Sequence, residues 1–506
     1  MAAKEAIKRE IAADVVVVGY GCAGAVAAFT AHDAGAKVVI LEAQAEGGGA
    51  SKISNGGIAI PLAKEYADYL YKICNGLTDR ELLETYVEHA MKLEEYFVEI
   101  GADFERWKTQ EVGMSFPPLA RPSWPKVEGG KQMARGHMKV KDPGPSLESL
   151  TMAERIRAVG RAYGPETWEV CTRNVEKRGI EVLTKTRATE LVKNADGEVV
   201  GVLAQTESGT LFVKANKAVV LTTGGFAANE QMTKAYLPCP LAYIGTSGYA
   251  KGDGLVMAQK AGAQMTHMLG IVGQIGFSTP EYDGAFQTRV PSAKFILVDR
   301  DAKRFTNETE EKLHNHWRVC AKFDPERLIY PRIPCYMIFD ETTRAKGPIS
   351  RDWRVWNDYV WSLDNQAEIE KGWIKKGNTL AELAKEIGVD GTVLEHTVAT
   401  FNLHCKNGQD LDFHRDKEMM GPIDTAPYYA IPQVPTIVSV SGGPKHDKDA
   451  RVLDNEGKPI PRLYAAGELG SLIAWLYEAG TGLSECFVFG KIAGQNAAAE
   501  HPVTGK

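Results

Sequence analysis

The first residues along the chain whose types and spacing could do chemistry are glycines: Gly19-Tyr20-Gly21-Cys22-Ala23-Gly24, with an acid further on at Glu42. A GxGxxG run handles phosphate through bare backbone. Gly19 permits a tight bend, Gly21 lets the main chain approach a pyrophosphate, and Gly24 lets a helix pack closely on a strand. Glu42 is placed to accept hydrogen bonds from ribose hydroxyls, and an acid there disfavours a 2′-phosphate. The elements that must position these residues flank them. Asp14 to Val18 ends in consecutive valines, as a parallel strand buried on both faces requires; AVAAFTAHDAG is helix-compatible; Lys37 to Leu41 is a second strand. Strand, glycine turn, helix and strand make a dinucleotide-binding unit, with the helix N-terminus facing the phosphates. The unit suits NAD or FAD, and its position at the start of the chain favours FAD.

Three further segments carry a resemblance. AEGGGASKISNGGIAIP follows Glu42; Ala218-Val219-Val220-Leu221-Thr222-Thr223-Gly224-Gly225-Phe226 is a buried strand ending in a small-residue turn; Leu463-Tyr464-Ala465-Ala466-Gly467-Glu468 precedes the run Gly480 to Gly490. In this order they resemble the flavoproteins of the fumarate reductase and succinate dehydrogenase superfamily, which includes the 3-ketosteroid dehydrogenases. The resemblance spans nearly the whole chain. It implies an α/β fold, a Rossmann-like FAD-binding domain with an inserted α+β substrate-capping domain. Residues 1–265 and 430–506 would form the FAD domain and residues 266–429 the cap. It also implies that FAD is held by Gly19, Gly21, Cys22, Ala23, Gly24, Glu42, Ala43, Gly48, Gly49, Ala50, Ser51, Gly56, Gly57, Thr222, Thr223, Gly224, Gly467, Glu468, Gly482, Leu483 and Ser484. Glu468 would take the ribityl chain, and the helix opening at Gly482 would aim its N–H groups and positive dipole end at the pyrimidine end of the flavin. Relatives that tether FAD use a histidine where Ala50 stands, so the FAD is expected to be noncovalent.

The resemblance also carries the chemistry. Flavin N5 exchanges a hydride, and a polar side chain must exchange a proton or hold an enolate. Fumarate reductases place a proton-donating arginine, and ketosteroid dehydrogenases a tyrosine, at a position that ungapped counting assigns to Lys312; a gap brings His314 there. Tyr477 matches a ketosteroid-dehydrogenase tyrosine whose hydroxyl holds the ketone. The arginine and histidine that clamp dicarboxylates in fumarate reductases are missing, with Ser439 and Tyr477-Glu478 at the matching places, so fumarate and succinate are rejected. The reading that follows is a dehydrogenase or ene-reductase of the CH–CH group, acting next to the carbonyl of an apolar cyclic ketone such as a 3-ketosteroid. Two alternatives stand beside it: reduction of a monocarboxylic enoate, for which Arg304 or Arg318 must reach the substrate, and a flavin-binding electron-transfer subunit. Tyr428-Tyr429, Tyr336, Tyr249, Trp353 and the run Trp107 to Trp124, with Met114 and Phe116, are possible pocket walls.

The bulk properties agree with a small-molecule enzyme. At 506 residues the chain is long enough for two domains sharing a cleft. A net charge of −6 and a pI near 6.1 give no basic footprint for nucleic acid. The eight cysteines have no CxxC or zinc-like spacing, which predicts reduced thiols and no metal. Neither a signal peptide nor an apolar run of membrane-spanning length is present, and a cytoplasmic location is expected. The electron partner is not encoded in any motif. Within the cap, FILVDRDAKRF and PCYMIFDE predict strands and Leu380 to Ile387 a helix, while Pro117 to Pro125 and Pro427 to Pro435 predict irregular connections or a hinge edge.

Overall fold

The computed structural model describes residues 7–106, 124, 127–139, 163–245, 250–288, 290–309, 314–350 and 359–503. Two sheets organise the chain, one of eight strands and one of seven. In the first, β1 (Arg9–Val18) leads through the glycine turn into α1 (Cys22–Asp33) and on to β2 (Val38–Leu41), which pairs with β1 in parallel. After β2 come the short helix α2 (Gly49–Ile53) and β3 (Ile58–Pro61). The long strand β4 (Gly209–Leu221) closes the other side of β1, also in parallel, and the late strand Pro459–Ala465 pairs with β4. The four valines of β1 are buried on both faces, as their lack of alternation predicts. Because β1, β4 and Pro459–Ala465 lie side by side in parallel, the turns at their C-terminal ends gather at one edge, where open α/β sheets bind ligands.

The second sheet contains β5 (Ile271–Phe277), β6 (Phe286–Gln287) and β7 (Tyr428–Val440), together with the strands Phe295–Val298 and Cys335–Asp340. The helix expected over Leu380 to Ile387 forms over those residues, and its apolar face packs beneath this sheet. The stretch Pro427 to Pro435 is not an irregular connection: from Tyr428 onward it is the first part of β7. The prolines fit because β7 changes partners there. Pro432 pairs only with Tyr336 and Pro435 only with Ile275, so neither sits between two neighbouring strands that both need its missing N–H. The expected boundary between residues 429 and 430 falls inside β7, all of which belongs to this second sheet. The last helix, α3 (Thr481–Ala499), packs along α1 in one buried cluster with the first sheet.

Candidate functional site

The glycine turn is built as its spacing requires. Gly19 has a φ of +104°, and a Cβ on Gly24 would lie 2.0 Å from the Gly19 carbonyl oxygen. Gly21 differs. Its φ is an ordinary −99°, and a Cβ there would meet only Ser51 Oγ at 3.5 Å and Gly48 O at 3.7 Å. The protein does not itself demand glycine at this position, which leaves the demand to a group lying against the turn. The segment after β2 is tied to the turn by two hydrogen bonds: Gly48 N–H donates to Tyr20 O at 2.7 Å and Cys22 N–H to Ser51 Oγ at 3.2 Å. Glu42 accepts from Tyr20 N–H (2.9 Å) and Gln44 N–H (2.8 Å), one on each oxygen. Burial raises its pKa against the pull of these donors. Each oxygen keeps a lone pair for a ribose hydroxyl.

The other two turns arrive at the same place. The Thr222 hydroxyl donates to Val18 O (3.0 Å) and Gly19 O (2.9 Å), locking the end of β4 to the end of β1. Glu468 lies against Gly224-Gly225 so closely that a Cβ on Gly225 would stand 2.7 Å from Glu468 Oε1. The same oxygen accepts Val440 N–H at 3.1 Å. Burial pushes Glu468 up to about 7, opposed by the N–H groups of Val440 and Gly225. A Cβ on Gly467 would lie 2.9 Å from that of Ala23, so the late turn touches the first. The side chains of Thr222 and Ser484 are engaged with the protein, the latter with Tyr86 Oη (2.7 Å) and Gly480 O (3.0 Å), leaving main chain to face a cofactor at these two positions. Leu483 is buried in the core, and Ala43, Ala50, Thr223 and Gly57 are half-buried. Gly49 and Gly56 both take positive φ. A shape that needs bare backbone at Gly21, with acids at Glu42 and Glu468, fits FAD.

Tyr477 stands just before α3. Its hydroxyl accepts Gly482 N–H at 3.2 Å, within the first turn of the helix, and burial raises its pKa above that of an ordinary phenol. The His314 ring meets Tyr477 edge-on at 5.3 Å between centroids. Lys312 lies outside the described residues, as do Tyr249, Trp353, Met114 and Phe116. Tyr429 donates to Glu341 at 2.7 Å, and Tyr428 and Tyr336 pack on the core beneath the second sheet.

Several residues essential to this geometry carry no sequence signal. Asn315 clasps Tyr477 from both sides: its Nδ2 donates to Tyr477 O at 3.1 Å, and its Oδ1 accepts Tyr477 N–H at 3.2 Å. Glu478 is fully buried in an ion pair with Arg135 and accepts Tyr69 O–H at 2.5 Å. Its charge is therefore matched within the protein. Arg304 is also committed, pairing with Glu308 (2.9 Å) and Asp410 (3.0 Å) in a buried network completed by Arg415. Burial pushes Asp410 up, but Arg304 outweighs it and holds the acid at about 2. Of this network, only the four-residue spacing of Arg304 and Glu308 was available to sequence reading.

A dinucleotide cradle at the C-terminal edge of a parallel sheet, with a half-buried tyrosine at the adjoining helix N-terminus, defines an FAD-dependent oxidoreductase, and its class acts on CH–CH bonds. The chain belongs to the FAD binding domain family, which matches residues 14–484. It is 30% identical to NADH:acrylate oxidoreductase of Vibrio harveyi over 96% of this chain and 50% of that protein, so it spans about half the length of that relative. It is 26% identical to 3-oxosteroid 1-dehydrogenase of Mycolicibacterium smegmatis, over 96% of this chain and 97% of the relative. Its fold is similar to that of the 3-ketosteroid Δ1-dehydrogenase of Sterolibacterium denitrificans, crystallised with 1,4-androstadiene-3,17-dione. That match has a TM-score of 0.81 and 23% identity, covering 96% of this chain and 99% of the other. Among the described residues, no helix is long and apolar enough to cross a membrane.

Proposed function

We propose that this protein introduces or reduces a C=C bond α,β to the carbonyl of an apolar cyclic ketone resembling a 3-ketosteroid. The observation that carries this reading is the Tyr477 hydroxyl. Because it accepts the Gly482 N–H at 3.2 Å, its own proton is turned to donate elsewhere, and its raised pKa keeps that proton in place through neutral pH. Such a hydroxyl suits a ketone oxygen on which negative charge develops. The His314 imidazole beside it can take or return the proton on the carbon next to that carbonyl. FAD, held by the turns around Gly21, Gly224 and Glu468, supplies hydride exchange when bound. Ser439 and Tyr477 offer no cation for a substrate carboxylate, and Arg135 and Arg304 are already paired with acids.

Reduction of a monocarboxylic enoate is the second reading, favoured by Arg318. Its guanidinium stacks on Trp317 and Trp475, at 4.8 and 4.7 Å, and its Nη2 donates to Trp475 O at 2.6 Å, two residues before Tyr477. The test is anaerobic flavin spectroscopy against a panel of saturated and unsaturated cyclic ketones and enoates. Ketones are expected to bleach the oxidised protein or recolour the reduced one, and enoates to leave both unchanged. Tyr477→Phe should slow the ketone reaction by about a hundredfold or more, the usual cost of removing one donor to a developing oxyanion. An unchanged rate in that variant overturns the role given to Tyr477, and response to enoates alone favours the second reading.

A further inference from the structure

Two glutamines in the second sheet carry buried amide atoms without hydrogen-bond partners among the described residues. Gln274 is 3% exposed and Gln287 1% exposed. Among the described residues nothing hydrogen-bonds Gln274 Nε2 or either amide atom of Gln287. Both lie on one face of the sheet. Gln287 stands opposite Gly276 across the β5–β6 pair, so Gln274, two residues from Gly276, is its diagonal neighbour, about 7–8 Å away in such pairings. Gln274 also stands opposite Thr436, which in turn pairs with Ala242. Ala242 packs with Val438 against Ile53 of α2, the helix that opens with the expected flavin-contacting glycine Gly49. The strand position before Gln274 ties the patch to the candidate site: Gly273 N–H donates to His314 O at 2.9 Å.

Buried carboxamides are normally satisfied, and an unpartnered one lowers stability relative to an apolar side chain of the same size. Two such side chains on one face, next to the His314 segment and leading away from it, therefore point to a partner that is not part of the protein. We propose that Gln274 and Gln287 form a polar subsite for an uncharged oxygen, a carbonyl or hydroxyl, on the substrate at a distance from the reacting bond. Gln287 offers both a donor and an acceptor and so suits either group; Gln274 adds a donor. Carboxamides cannot neutralise a carboxylate, so a charged group would be left uncompensated there. The inference rests on the cyclic-ketone reading and deepens it: the substrate would be apolar in its body and oxygenated at both ends.

The test uses the FAD-loaded oxidised protein and follows the flavin absorbance during titration with two probes, 1,4-androstadiene-3,17-dione and the same skeleton lacking the 17-oxygen. The dione is expected to bind about tenfold more tightly, the range of one well-made hydrogen bond. The double variant Gln274→Leu/Gln287→Leu should bind both probes equally, and Gln287→Met, which keeps chain length, should lose most of the preference. Gln287→Met should not melt below the parent, since neither amide atom of Gln287 has a hydrogen-bond partner in the protein. Equal binding of the two probes by the parent overturns this inference alone. So does a preference that survives in the variants, or a melting temperature that falls in Gln287→Met. If neither probe perturbs the flavin, the cyclic-ketone reading fails and the subsite fails with it.

Discussion

Gly21 and Gly24 are three residues apart and are required for different reasons. A methyl on Gly24 would run into the Gly19 carbonyl, which is backbone and cannot yield, whereas a methyl on Gly21 would make only ordinary contacts within the protein. Gly24→Ala should therefore destabilise the fold by about 1–3 kcal/mol, the usual cost of overpacking. Gly21→Ala should melt like the parent when both are FAD-free, yet bind FAD at least about tenfold more weakly, as fluorescence titration would record. Comparable melting losses in both variants would contradict the idea that Gly21 serves the cofactor. Asn315 sets a different requirement, for aim. Its side chain grips both the N–H and the carbonyl of Tyr477, holding the main chain that carries the phenol. Asn315→Ala should lower kcat roughly ten- to a hundredfold with FAD content intact, because small misplacements of a polarising group are costly. Asn315→Asp keeps the acceptor and loses the donor, so its rate should fall between the two. The glycines were legible in sequence because their demand is local. Asn315 was not, since the residue it holds is 162 positions away.

At the scale of elements, the start of α3 and the loop before it work as one unit. Glu485, in the second turn of α3, accepts the Ser471 hydroxyl at 2.7 Å and Leu472 N–H at 2.8 Å, fixing the loop that runs on to Tyr477. Burial raises its pKa from 4.5 to about 8, with Glu468 adding in the same direction. A carboxyl whose folded pKa lies above its unfolded one is more protonated in the folded state. Its contribution to stability is complete below about pH 4.5 and is lost as pH rises through about 8. Glu485→Gln should therefore lose less melting temperature than the parent as pH rises across that window, as thermal melts at both ends of it would record. A slope unchanged by the substitution would show that Glu485 does not titrate as its burial implies. Sequence periodicity identified β1, the cap strands and the helix Leu380–Ile387, where composition and burial agree. It misread β7, because prolines signal a break unless the strand is known to change partners at that point.

For the whole molecule, the cofactor is the common neighbour of segments that the chain keeps far apart. The turns at Gly19 to Gly24, Thr222 to Gly224 and Gly467-Glu468 already touch through Thr222 with Gly19 and Gly467 with Ala23, yet each leaves bare backbone or an acid on the margin they share. This part of the architecture was readable because each turn is a short motif with its own backbone demands. The anchoring of the second sheet was not, since the contacts of Arg304 with Asp410 and of Arg415 with Glu308 join residues 106 and 107 positions apart. A ligand that contacts all three turns must stabilise their common arrangement. FAD at a hundredfold excess over its dissociation constant should therefore add about 2.7 kcal/mol to unfolding, a shift readable by calorimetry on protein stripped of flavin. Ala50 supplies no atom to tether the ring, so acid precipitation of the yellow protein should leave the flavin in the supernatant. If the flavin stays with the pellet, a covalent link exists at some other residue. If the melting temperature ignores added FAD, the three turns do not share it, and the assignment of the cradle fails.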